Sequence, residues 1–119
     1  MGGYGALLLA ERLGSALVAA VAVDSPAPWL HAGESAAGAF DDAADFARND
    51  VFARVDRLAR IPVRVVVGRR DPFLTATREF VTGVPDLAAA VIRDGGHDAA
   101  FWRATAPAQL AFVAAALNR

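Results

Sequence analysis

Three observations predict an α/β fold built on a parallel sheet. Stretches with a 3.6-residue apolar period alternate with short, continuous apolar runs along the chain. Those runs are rich in alanine and β-branched valine and lack the polar alternation of a strand with one wet face, so they suit strands covered on both sides. Each run also ends in a Gly- or Asp-containing break, and the segment before the next run is long enough for a right-handed helical crossover.

Taken in order, residues 2–13 carry Ala6, Leu7, Leu9, Ala10 and Leu13 on one helical stripe, with Gly14 as its stop. Residues 17–23 form an apolar run closed by Asp24-Ser25-Pro26 and are read as the first strand. Pro26, Pro28 and Gly33 make residues 24–38 a loop. Two helical stretches come next, near 36–47 and 50–60, the second with Asp50 as N-cap and Val51, Phe52, Val55, Leu58 and Ala59 on one face. A second strand covers 63–67 between Pro62 and Gly68. A helix near 73–82 leads to a third strand near 89–92, closed by Asp94-Gly95-Gly96. An apolar helix from about 98 to 117, with a restart at Thr105-Ala106-Pro107, ends the chain. No internal repeat or low-complexity linker divides it, and 1–119 reads as one unit.

Composition excludes several classes of function. The chain has 119 residues, a formal net charge of −1, and 12 basic residues, all arginine, none in a run longer than Arg69-Arg70. That balance lacks the clustered positive charge of a nucleic-acid footprint. With no cysteine there is neither a disulfide nor a thiolate nucleophile, and two histidines give little material for a metal cluster. No metal or organic cofactor is expected. Alanine makes up about a quarter of the residues, and no unbroken apolar run, that at 16–23 included, exceeds eight. A membrane-spanning helix needs roughly 20. The first ten residues carry no positive charge and Glu11-Arg12 interrupts the apolar stretch, so this run reads as core rather than as an export signal.

In open α/β sheets the chemistry gathers beyond the carboxyl ends of the strands. After the second strand stands Gly68-Arg69-Arg70-Asp71-Pro72-Phe73, and after the third Asp94-Gly95-Gly96-His97-Asp98. A carboxylate and an imidazole so placed meet across the sheet top. Asp71 then accepts from one ring nitrogen of His97 and leaves the other as a general base. Each residue also has a plainer reading. His97 suits a structural loop histidine, and Asp71 suits the N-cap of a helix that starts at Pro72. Asp24 is a rival acid, Asp98 a helix N-cap, and His31 a solvated loop residue. Phe101 and Trp102 are read as core. The glycines at the start do not form a phosphate loop, because no Lys-Ser or Lys-Thr comes after them.

The segments Met1-Gly2-Gly3-Tyr4-Gly5-Ala6-Leu7, Val65-Val66-Val67-Gly68-Arg69-Arg70-Asp71-Pro72-Phe73 and Gly95-Gly96-His97-Asp98-Ala99-Ala100-Phe101-Trp102-Arg103 resemble one family. They resemble the C-terminal part of α/β-hydrolase-fold serine esterases, in the branch that includes esterase D and the antigen-type mycolyltransferases. The first segment resembles the residues just after the serine of the nucleophile elbow G-x-S-x-G. The resemblance implies about three parallel strands with flanking helices, Asp71 and His97 as triad acid and base, and the Met1 backbone N–H as an oxyanion-hole donor. Trp29 and Phe73 would border the substrate cleft. The serine would stand immediately before Met1, so the chain alone is expected to be inactive, and its partner a small-molecule ester.

Two further readings stay open. The same triad serves an acyltransferase, and a hydrolase-like module without catalysis would pair through the exposed edge of the strand at 17–23. The chain as it stands is expected in the cytoplasm; an export signal of a longer parent would lie upstream.

Overall fold

The computed structural model describes residues 2–119; Met1, and with it the expected oxyanion donor, lies outside them. Helix α1 (Gly2–Leu13) leads to strand β1 (Val21–Asp24), a 3₁₀ turn (Ala32–Glu34), helix α2 (Ala43–Asn49) and a 3₁₀ stretch (Phe52–Leu58). Strand β2 (Val63–Gly68), helix α3 (Leu74–Thr82), strand β3 (Leu87–Arg93) and helix α4 (Ala99–Leu117) complete the chain. The strands form one parallel sheet in the order β1-β2-β3. This is the predicted α/β arrangement of three parallel strands flanked by helices, consistent with part of an α/β-hydrolase fold.

The core lies on one sheet face. Val21, Val23, Val63 and Val65 point from the strands toward Leu7 and Ala10 of α1, Val51 just before the 3₁₀ stretch and Leu58 at its end, and Phe80 of α3. Alternation along β1 and β2 sends Ala22, Asp24 and Arg64 to the other face, where α4 packs. Polar groups tie that second face. Gln109 Nε2 donates to Val23 O and to Asp24 Oδ1, both at 2.9 Å, and Thr105 Oγ1 donates to Asp24 Oδ2 at 2.7 Å. Arg64 Nε completes the group by donating to Gln109 Oε1 at 2.9 Å.

Several boundaries differ from those expected, each for a visible reason. The first strand begins at Val21, because Gly14 at φ +70° turns the chain and accepts from Leu17 N and Val18 N. Residues 17–20 therefore precede the strand and Leu17 is 75% exposed, so the open sheet edge is 21–24 rather than 17–23. Helix α2 starts only after Asp42, whose side chain accepts from Asp45 N. Asp50 does bond a nearby amide, Phe52 N at 2.9 Å, but the stretch it opens is 3₁₀, with Arg54 out of helical geometry. Strand β3 starts two residues early at Leu87, with a register shift where it meets Val63 and Arg64. Helix α4 runs through Pro107 without a restart, and Thr105 and Gln109, on either side of the proline, both bond Asp24. No helix among the described residues is long and apolar enough to cross a membrane.

The outer edge of β1 pairs with no strand among the described residues. Val21 N donates to Pro62 O and Ser25 N to Val66 O, so the alternate amides of Ala22 and Asp24 face away from β2. Beside that edge lies an apolar groove of about 270 Å³ lined by Leu9, Val18, Ala22 and Val113 among others. Leu9, Leu13, Leu17, Leu110 and Leu117 are exposed.

Candidate active site

The ends of β2 and β3 are built to touch. Past the strands the ladder continues into the loops, with Arg69 N donating to Arg93 O at 2.8 Å and Arg70 N to Gly95 O at 3.0 Å. Glycine is required at both contacts. A Cβ on Gly68 would run into the Gly95 carbonyl, and Gly95, at φ +143°, would drive a Cβ into the Phe101 ring. Only a glycine pair lets the two loops approach this closely.

That approach joins the two expected site residues. His97 Nδ1 lies 3.1 Å from Asp71 Oδ2. The Asp71 side chain is 0% exposed and that of His97 29%, so the acid is enclosed while the base is reachable. Asp71 Oδ1 accepts from Phe73 N at 2.8 Å, and Asp71 N itself donates to Gly68 O. The carboxylate thus closes the turn into α3 and holds the imidazole at once, but it is not the expected N-cap: the helix starts at Leu74 rather than Pro72, and Phe73 stands at the cap position without a side-chain bond. On the other loop Asp98 caps α4 by accepting from Phe101 N at 2.9 Å, as expected.

An aromatic series runs from this pair toward the start of the chain. Ring centroids are 5.5 Å apart for His97 and Phe73, 5.8 Å for Phe73 and Trp29, and 5.8 Å for Trp29 and Tyr4. The first turn of α1 therefore lies at the same end of the sheet as His97. Gly3 sits against it closely: a Cβ there would lie 3.1 Å from Pro26 Cα and 3.2 Å from the Asp24 carbonyl oxygen. Gly5 meets nothing within 4 Å and makes no such approach. A cavity of about 450 Å³ opens between Pro28, Trp29, Leu30, Glu34, Pro72 and Phe73.

Other candidates sit elsewhere. Asp24 gives both carboxylate oxygens to α4, which removes the rival acid. His31 is exposed in the loop before the 3₁₀ turn. Phe101 is buried, but Trp102 is 38% exposed and stands edge-to-face with His97 at 5.3 Å rather than in the core. No hydroxyl of a described serine is bonded to His97; Ser25, at φ +45°, has a buried hydroxyl with no partner. No group of three or more His, Cys, Asp or Glu suited to a metal ion occurs among the described residues.

Two titratable groups of α1 are perturbed by burial. Glu11 is 2% exposed and neither carboxyl oxygen has a partner. Desolvation is the largest cause raising its pKa to about 8, opposed by Arg54 and Arg57 and assisted by Asp50 and Asp56. Tyr4 is pushed up to about 12, mainly by burial and then by the Asp50 carboxylate, while its hydroxyl donates to Asn49 O.

Neither a family model nor a curated protein matches the chain. Among solved structures it is similar to a ferulic acid esterase, with a TM-score of 0.72 and 26% sequence identity over 98% of this chain. The match covers 49% of that protein, so the chain spans about half the length of the structure it resembles. An esterase-like fold is the conclusion this likeness supports.

Proposed function

We propose that this chain is the acid- and base-bearing part of a serine hydrolase that cleaves carboxylic esters, the nucleophile being contributed by the residue immediately before Met1. The observation that carries this reading is the Asp71–His97 pair, 3.1 Å apart, at the carboxyl ends of adjacent parallel strands. The first turn of α1, where the residues after a nucleophile elbow would lie, is linked to the same end by the rings of Tyr4, Trp29 and Phe73. A likeness covering about half of an esterase supports it further.

In this mechanism the serine oxygen attacks the ester carbonyl and its proton passes to His97 Nε2. The imidazolium, held and stabilised through Nδ1 by Asp71, returns that proton to the departing alkoxide as the acyl C–O bond breaks. Water, activated by the same nitrogen, then releases the acid. Backbone amides, that of Met1 among them, bear the oxyanion. The cavity walled by Trp29 and Phe73 suits the acyl group, and the ferulic acid esterase likeness favours an aromatic one. An alcohol in place of water would make the same machinery an acyltransferase. With no described serine bonded to His97, the chain by itself is expected to show no serine-dependent turnover.

The coding sequence ahead of the Met1 codon tests this reading. Codons for Gly-X-Ser directly upstream are expected; a stop codon or unrelated sequence there would contradict it. A second reading, association of copies through the bare 21–24 edge, is favoured by the apolar groove beside it. A defined dimer of this chain in solution would support that alternative.

A further inference from the structure

A single hydrogen bond fixes one point of an imidazole but leaves the ring free to turn about it. His97 has one such bond, to Asp71, and its side chain is 29% exposed. Two aromatic rings flank it. Phe73 lies at 5.5 Å with an interplanar angle of 54°, and Trp102 at 5.3 Å with 87°. Both arise from helix starts. Phe73 is delivered by the turn that the Asp71 carboxylate closes, at the N-cap position of α3. Trp102 lies in the first turn of α4, its N–H donating to Asp98 O at 3.1 Å, and helical side chains lean back toward the N-terminus, over the loop that holds His97. The core-filling role at this helix start belongs to buried Phe101, whereas Trp102 is 38% exposed. Core packing therefore does not account for the indole.

Resting on the assignment of His97 as the base, we propose that Trp102 is a positioning residue: with Phe73 it brackets the imidazole and keeps Nδ1 turned to Asp71 and Nε2 toward the substrate. The bracket confines ring rotation and so selects the Nδ1–H tautomer that an acid partner on that nitrogen requires. Trp102 transfers no proton itself.

Imidazole ¹H–¹⁵N spectra of the 119-residue chain read this directly. The chain has two histidines, and His97→Gln assigns them. The expected result is a nuclear Overhauser contact between the Trp102 indole and the His97 ring, with neutral His97 held as the Nδ1–H tautomer. Trp102→Leu should release His97 to a tautomer mixture, and Trp102→Phe should keep the parent state. Absence of the Overhauser contact in the unsubstituted chain overturns the proposal, whether or not the leucine variant folds. An unchanged tautomer in a folded Trp102→Leu chain overturns it as well. In the protein extended through the upstream codons, Trp102→Leu should lower kcat by roughly tenfold to a hundredfold with KM little changed, and Trp102→Phe should restore most of it. A fully active His97→Ala enzyme would remove the base assignment and this role together. An inactive His97→Ala enzyme beside a Trp102→Leu enzyme at full kcat would remove the Trp102 role alone.

Discussion

The junction of β2 with β3 and the outer edge of β1 differ in how fully their polar groups are bonded, although β3 is itself an edge strand with no buried residue. Where β2 meets β3, ladder hydrogen bonds continue into the loops, both Asp71 oxygens are engaged and glycines allow the close contact. Along β1 the outward amides face no strand among the described residues, leucines stand in solvent, and Ser25, just past the strand, carries a buried hydroxyl without a partner. The Asp71–His97 pair is thus organised by local loop chemistry, while the outer edge of β1 presents hydrogen-bonding groups that no described strand meets.

The largest expected effect lies at the junction of β2 with β3. In the protein extended through the upstream codons, His97→Ala should lower kcat by about 10⁴-fold or more, and Asp71→Asn by about 10⁴-fold, with thermal unfolding nearly unchanged. Ester hydrolysis assays paired with melting curves check both. Next comes Glu11. A carboxyl whose folded pKa is raised to about 8 stabilises the fold fully below the ordinary 4.5, and that stability is lost as pH rises through about 8. Glu11→Gln, neutral throughout, should remove most of this decline, worth a few kcal/mol at most. Urea midpoints at about pH 5 and about pH 9 read it; an equal decline in the variant would show that another group titrates.

Gly68→Val tests the loop contact itself. It should cost about 1–3 kcal/mol by overpacking and displace the Gly95 carbonyl, so activity should fall further than stability alone explains. The smallest effect belongs to the open side. Leu17→Arg, at a position 75% exposed, should change stability by no more than about 0.5 kcal/mol. If copies pair across this edge, the same substitution should shift size-exclusion elution toward monomer.

The sequence made the fold class legible because its strand-like runs are continuous and its helical stripes regular. It made Asp71 and His97 legible because they stand just past the strands at which such groups collect. Boundaries were harder wherever one glycine or one shift intervened: Gly14 removed residues 17–20 from the strand, and the register shift near Val63 hid the start of β3. Long-range polar ties were invisible locally. Thr105 and Gln109, four apart on an apolar helix, were the signal that Asp24 would turn to α4, 81 and 85 residues away in sequence, rather than to His97. Trp102 escaped because a tryptophan beside a phenylalanine at a helix start gives no local sign of which ring faces inward.

Pre-steady-state kinetics of the protein extended through the upstream codons, with a chromogenic ester, probes the proposed triad most directly. A burst of product equal to the enzyme concentration, lost in His97→Ala and absent from the 119-residue chain alone, is the expected result. A burst of the same size from the 119-residue chain, or one that survives His97→Ala, would contradict it.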